Sequence, residues 1–439
     1  MAVLSMLLAG AIWSVPDAHV TPSDGAPEDR FGSAVAVDGA HLLVGAPLQG
    51  DSGYRAGAVY AFEHDGQDWI ESQQIRPDDL VAYGEFGSAI AIDGDLLAIG
   101  WKGSDAAAQG AGIVVLYEWS GGQWLERSRV WDPEATIGDR FGTSIDLDGD
   151  YMVVGCQLDD VSGSDSGSAL VFRRSSDDWV FEQRLVPSGI GAYNWAGRSV
   201  SISGTRVVVG AYLESVDGQQ AAGAAYVFER TGSGAWTEQA RLVADDPVPG
   251  DYFGYSVSVE DDRIAVGSIL NDAPLEDSGE VYLFEWTGVE WALQHLPPPD
   301  DGGEFGYTVA IDGERLHVGA VYHAGNGIAN GAVYRFECID GEWIYDAKWL
   351  PLEGADDCFF GASLSTDAGL LAIGAPRENI FGLGSGAAYV VDGSAPCDGD
   401  VTGDGGVGID DLLAVIAGWS NPYDVDDLLL VIQSWGGCG

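Results

Sequence analysis

From Phe31 onward the chain alternates short apolar runs with polar turns in a steady order. Blade-sized units read as a Phe-Gly pair, an alternating run (SAVAV), an Asp-Gly turn, the apolar run HLLVGA, a polar loop, GAVYAF, a second turn, and Trp69 opening WIESQQI. Period-two alternation and β-branched runs bounded by Gly and Asp predict four strands per unit. The first carries small side chains. The second is apolar on both faces, as a strand buried between sheets requires. The third is aromatic and β-branched, and the fourth mixes polar with apolar residues, as a half-exposed outer strand does.

The unit recurs seven times. Its Phe-Gly position falls at Phe31, Phe86, Phe141, Ala196, Phe253, Phe305 and Phe360; in the fourth copy, Trp195-Ala196-Gly197 sets the aromatic ring one residue early. A second glycine series (Gly45, Gly100, Gly155, Gly210, Gly267, Gly319, Gly374) and a third (Gly57, Gly112, Gly167, Gly223, Gly279, Gly331, Gly386) keep step with it. Four-stranded units repeated in register predict an all-β fold, a seven-bladed β-propeller of four-stranded antiparallel blades. The seventh copy lacks its fourth strand. Trp13 lies 18 residues before Phe31 and WSVPDAHV stands in the outer-strand position, so the N-terminal strand near Trp13 is expected to close the last blade. The domains expected are a truncated secretory signal over 1–11, the propeller over 12–394 and a separate module over 395–439.

Strand direction puts the one-to-two and three-to-four hairpins on one face. The longer two-to-three loops and the blade-to-blade loops share the other, which carries variable acidic residues such as Asp51, Asp105, Asp160 and Asp217. Binding is expected there, since loops on a rigid scaffold carry recognition.

Phe31-Gly32 with Gly45-Ala46-Pro47, and Phe360-Gly361 with Gly374-Ala375-Pro376, resemble the FG-GAP repeat of integrin α-chain propellers. The DRFG, VDG, VGAP and GAVYAF elements are closer still to bacterial extracellular FG-GAP proteins. The resemblance implies a secreted or surface-displayed adhesion protein. Integrin-type repeats hold Ca²⁺ in a long Asp-rich loop between strands one and two, whereas here that connection is a two-residue turn, too short to wrap a cation. Asp146, Asp148 and Asp150 form a D-x-D-x-D run, but their turn aligns with the others.

After Pro396 the text changes. Asp400, Thr402, Asp404, Gly406 (through its carbonyl) and Asp411 fall at positions 1, 3, 5, 7 and 12 of an EF-hand-like loop, with Gly405 at the sharp turn. An amphipathic helix follows, and VDDLLLVIQSW repeats it, giving a small C-terminal α-helical EF-hand-like module. Two loop-helix units resemble a type I dockerin and imply docking to a cohesin-like scaffold through residues 397–439. The second loop, Asn421-Pro422-Tyr423-Asp424, lacks the carboxylates, so one Ca²⁺ is expected. Cys397 and Cys438 bracket the module as a candidate disulfide pair.

Composition narrows the partners. The chain has 69 acidic against 19 basic residues, a formal net charge of −50. That excludes phosphate backbones and anionic membrane surfaces as partners, and no run is long enough to span a bilayer. A monomer is expected. No catalytic constellation emerges: Gly50-Asp51-Ser52-Gly53 reads as turn chemistry, the six histidines fall at unrelated repeat positions, and Cys156 replaces a small core residue. The Asp-Arg pairs before Phe31 and Phe141 read as turns. The recurring tryptophans read as core, with Trp101, Trp119, Trp131, Trp286 and Trp349 as candidate exposed contacts. The expected function is therefore a non-catalytic binding protein taking a protein or glycan on its loop face. The alternative is a polysaccharide lyase or glycosidase acting near the axis.

Overall fold

The computed structural model describes residues 12–14 and 16–392, except 52, 177, 273–274, 276, 325–328 and 352–356. The chain divides into two compact units, Met1–Val391 and Asp392–Gly439. The apolar run over 1–11, the Ca²⁺-loop residues Asp400, Thr402, Asp404, Gly406 and Asp411, and Cys397 and Cys438 lie outside the described residues.

Seven sheets follow one another around an axis, each an antiparallel blade of four strands. Blade one consists of β3 (Ala34–Asp38), β4 (His41–Ala46), β5 (Ala58–His64) and β6 (Trp69–Ile75). These follow two N-terminal strands, β1 (Ile12–Ser14) and β2 (Ala18–Val20). In every blade the second strand is buried along most of its length, between its neighbours in the ring. Phe31, Phe86, Phe141, Phe253, Phe305 and Phe360 are fully buried, and Ala196 takes the same place in blade four. Each such phenyl contributes about 2 kcal/mol from burial alone.

The strand that completes blade seven is β2, whose His19 pairs with Tyr389 of the third strand Ala387–Asp392. Trp13 itself is elsewhere. It lies in β1, which runs parallel to Glu342–Trp349 as a fifth strand on blade six, with Trp13 opposite Lys348. In the complete blades the tryptophan marks the outer strand because a short hairpin ties it to the third strand. Blade seven has no such hairpin, so the tryptophan is released from that register and the closing contact forms five residues later.

Two glycine series exist because backbones approach too closely for a Cβ. A Cβ on Gly45 would lie 2.1 Å from the carbonyl oxygen of Gly87 in the next blade, and the same clash recurs from Gly100 through Gly374. Gly57 has φ +92 and bridges to Phe86, where a Cβ would meet the Phe86 oxygen at 2.2 Å.

The hairpin face carries a closed ring of hydrogen bonds. The two turn residues after β3 are Gly39 and Ala40, with φ 52 at Gly39, a conformation glycine adopts freely in tight hairpins. This leaves the preceding acid free. Asp38 accepts from the Gly94 amide (2.6 Å), Asp93 from Gly149 (2.6 Å), Asp148 from Gly204, Glu260 from Gly313 (2.7 Å), Asp312 from Gly369 (3.1 Å) and Asp367 from Gly39 (2.7 Å). Ser203 serves in blade four, accepting from Asp261 (3.1 Å). The D-x-D-x-D run is absorbed into this seam: Asp146 accepts from the Ser201 hydroxyl (3.0 Å) and the Ile202 amide (2.8 Å), and burial pushes its carboxyl up to about 6.

Candidate functional site

The residue before each Phe-Gly pair is held in the left-handed region: φ is 59 at Arg30, 54 at Glu85, 58 at Arg140, 55 at Trp195, 59 at Tyr252, 59 at Glu304 and 58 at Phe359. Non-glycine residues rarely adopt this conformation. Here it is imposed from both sides. The next amide donates to the preceding blade's loop, as Phe31 does to Ser385 (3.0 Å) and Phe141 to Ala111 (2.7 Å). Just before it, Asp29, Asp139 and Asp251 accept from the amides of Ala26 (2.8 Å), Thr136 (2.5 Å) and Val248 (3.1 Å). The acids of the Asp-Arg pairs thus make the turn, and the turn presents the arginine.

On the two-to-three loop face these positions contribute to a cup of about 560 Å³ at the propeller axis. Its wall includes Arg30, Lys102, Arg140, Arg198 and Arg377. It narrows into a neck of about 210 Å³, lined chiefly by Ser, Thr, Ala, Val and Ile from the first strands, with Arg198, Tyr255 and Tyr307 as exceptions. Cup and neck share Ser33, Thr143, Arg198, Tyr307 and Ala362.

The cations of the cup are only partly neutralised. Lys102 pairs with Glu85 at 3.0 Å and Arg377 with Asp357 at 3.6 Å. Arg30, Arg140 and Arg198 make no ion pair among the described residues, whereas most of the other arginines do. Burial, and then the Arg377 guanidinium, lowers the pKa of Arg30. Arg198 lies over the Tyr255 ring at 5.0 Å and donates to its hydroxyl at 3.2 Å. Beyond it Tyr252, Tyr212, Tyr255 and Tyr307 form a chain of edge-on and tilted contacts with centroids 5.2 to 5.4 Å apart. Trp195, displaced from the core, packs on Tyr212 at 5.9 Å. Arg377 stacks on Phe359 at 3.5 Å. Glu304, pushed up to about 7 by burial and then by Asp277, stands at the same repeat position on blade six.

Other clusters account for themselves. Asp132, Cys156 and Asp159 could surround a cation, but the Arg184 guanidinium already bonds Asp132 (2.7 Å) and Asp159. Asp300 and His323 each lie 2.6 Å from the Lys348 Nζ, and Asp301 meets the other face of the cluster at His323 Nδ1, 2.7 Å away. These are polar spokes within blades. In blade four Tyr226 donates to Glu214 (2.7 Å), which also accepts from Arg241 (2.5 Å). In blade seven Tyr389 donates to Glu378 (2.7 Å), with His19 at 3.6 Å.

This corrects the sequence reading of the histidines. His19 and His295 hold the same repeat position, opposite Tyr389 and Tyr282. The phase of His19 was hidden because β2 sits later than Trp13 suggested. Of the tryptophans expected at the surface, Trp131 is exposed and Trp101 and Trp349 are buried. Ser166 is a turn residue, accepting from the Ser162 amide (3.0 Å) and donating to the Asp159 carbonyl (3.0 Å). The cup was missed because Arg30, Glu85, Arg140 and Phe359 share a backbone position and not a residue type, and Lys102, Arg198 and Arg377 come from other positions of the repeat. The one legible signal was the Asp-Arg pair before Phe31 and Phe141.

The FG-GAP repeat family matches residues 15–62, 69–117, 124–172, 179–228, 236–284 and 299–336. The first five matched segments each run from an outer-strand segment to the third strand of the following blade, so the matched period begins where the ring is latched. No curated protein matches the chain. A protein of known structure from Lactobacillus plantarum is similar over 77% of this chain and 89% of its own, at 13% identity and a TM-score of 0.49.

Proposed function

This chain belongs to the FG-GAP repeat family, and from that premise we propose that it is a non-catalytic binding protein, secreted or displayed at a cell surface. Its loop face takes a protein or glycan, and residues 395–439 dock it to a scaffold through one Ca²⁺. The observation that carries the binding half is the axial cup: one backbone conformation recurs in all seven blades, and four of the residues that hold it, Arg30, Glu85, Arg140 and Phe359, line one opening with mixed chemistry. A rigid frame with variable contacts is how repeat scaffolds recognise ligands. The small side chains of the neck favour binding over chemistry.

The enzyme reading keeps one supporting observation, the convergence of Arg198, Tyr255 and Tyr307 at the neck. Charged and phenolic groups meeting in a cleft are the raw material of acid–base catalysis. The docking half rests on the donor set of Asp400, Thr402, Asp404, Gly406 and Asp411, all oxygen ligands suited to Ca²⁺.

The test is capture of partners from the surface and secretions of the producing organism, with and without chelator. Chelator-sensitive capture that is lost in Asp400→Ala and Asp411→Ala is expected. Unchanged Ca²⁺ binding in both variants would sink the metal assignment.

A further inference from the structure

We propose that the axial cup binds the acidic end of a saccharide chain, one bearing carboxylate or sulfate groups. The inference rests on the binding reading above and names the ligand of that same face.

Charge comes first. With 69 acidic and 19 basic residues, this chain could neutralise every cation it has. Instead Arg30, Arg140 and Arg198 converge on one cavity with no carboxylate partner among the described residues, and Arg30 and Arg377 are close enough to repel each other. Gathering like charges at one point costs free energy. An anionic ligand would remove that cost and make charge-assisted hydrogen bonds, for which the planar guanidinium suits both carboxylate and sulfate.

The surroundings limit the size of the ligand. The cup lies within a loop face set with Asp51, Asp105, Asp160 and Asp217. A broad acidic protein surface would meet that rim and be repelled, because unscreened charges act over roughly 10 Å at moderate ionic strength. A slender ligand entering end-on meets Arg30, Arg140, Arg198 and Arg377, with the one carboxylate of the wall, Glu85, already held by Lys102. The cup's volume, about 560 Å³, falls within the range of small-ligand sites.

Polar and aromatic groups then favour a sugar over a bare anion. Ser88 lines the cup with a buried hydroxyl that has no partner, and the buried Nε of Arg377 likewise has none. Buried polar groups are normally satisfied, so these are places for ligand hydroxyls and acid oxygens. Tyr307 adds an aromatic surface at the junction of cup and neck.

The experiment is calorimetric titration of the full-length chain with trigalacturonate, a sulfated disaccharide, neutral maltotriose and hexaglutamate. One of the two acidic sugars should bind at least about tenfold more tightly than maltotriose or hexaglutamate, and should weaken as salt rises. Which of the two binds distinguishes carboxylate from sulfate. Arg140→Ser combined with Arg198→Ser should weaken binding by a further factor of about ten or more. Arg127→Ser, on an outer strand and paired with Glu118 at 2.9 Å, should leave it unchanged.

Equal binding of maltotriose or hexaglutamate, no binding of either acidic sugar, or an equal loss in Arg127→Ser would overturn the inference. None of these touches the chelator-sensitive capture, so the wider binding reading would survive them. Tight binding of an acidic sugar followed by its cleavage would support the cup as its site and overturn the non-catalytic reading instead.

Discussion

The two faces of the ring use one repeat in opposite ways. On the hairpin face each blade offers an acid or a serine to the amide of the next blade, and Asp367 to Gly39 closes the circuit. The residue is constrained because a neighbouring blade uses it. On the loop face the position before Phe-Gly is constrained just as tightly in backbone, with φ between 54 and 59, yet it carries arginine, glutamate, aromatic and tyrosine side chains. There the ring fixes the backbone while the side chain varies, and the contacts it makes differ from blade to blade, Glu85 pairing with Lys102 and Tyr252 packing on Tyr212. Repetition of residue type marks what holds the propeller together; repetition of conformation with changing residues marks where the proposed binding face can vary.

The largest test of the constrained half is at the glycine seam. In Gly210→Ala the new Cβ would lie 2.1 Å from the Gly254 oxygen of the adjacent blade. Neither backbone can yield without opening the seam, so a loss of about 3 kcal/mol is expected in denaturant unfolding, at the upper end of overpacking costs. Gly39→Ala is the control. Its φ is +52 with nothing within 4 Å, so only the left-handed penalty of about 1–2 kcal/mol applies. Equal losses in the two variants would mean that close approach is not why the series exists.

Glu304 lets the comparison be read through pH. Its carboxyl is raised to about 7 from an ordinary value of 4.5 by burial and then by Asp277. The folded state therefore binds more protons than the unfolded state between those values, and stability falls as pH rises through the window. Glu304→Gln does not titrate. It should match the wild type below pH 4.5 and exceed it in melting temperature above pH 7, with the gap opening in between. A constant gap across the range would show that the carboxylate does not ionise against its surroundings.

The fold was legible because its causes recur. Seven copies of the Phe-Gly position, six of them with the phenylalanine, and two clashing glycine series leave few alternatives to a ring. The stretch Trp13–Val20 does close the last blade, but through its end, Ala18–Val20, while Trp13, which carries the signature of an outer strand, pairs on blade six. Three residues of mixed polarity have no pattern to be read; their register is set by the open edge of Ala387–Asp392. The cup was almost wholly illegible for a related reason. A left-handed φ at Arg30 or Phe359 follows from hydrogen bonds to another blade, and sequence spacing does not report which way the side chain then points.

A smaller effect separates the hairpin ring from its turn chemistry. Asp93→Ala removes the acceptor of the Gly149 amide, 2.6 Å away, without disturbing its own turn. This exposed link is worth about 0.5–1.5 kcal/mol, measurable as a shift in denaturation midpoint. Asp93→Asn, which keeps an acceptor oxygen, should recover most of the loss. If Asn were no better than Ala, the acid would matter through charge and not through the bond.

The smallest change carries the opposite sign. Arg30→Gln removes a half-buried cation that makes no ion pair among the described residues and feels Arg377 more strongly than the acids Glu28 and Asp357. Losing a ring contact destabilises, but losing this charge relieves a repulsion. A gain of about 0.3–1 kcal/mol is expected, the scale of a partly screened charge pair. The gain should shrink as salt is added, because salt already screens the repulsion that the substitution removes. A residue whose removal stabilises the fold is retained for something other than folding, as functional sites often are at a cost in stability. Destabilisation by Arg30→Gln would place Arg30 with the hairpin acids as part of the frame, and the division between the two faces would fail at its most exposed point.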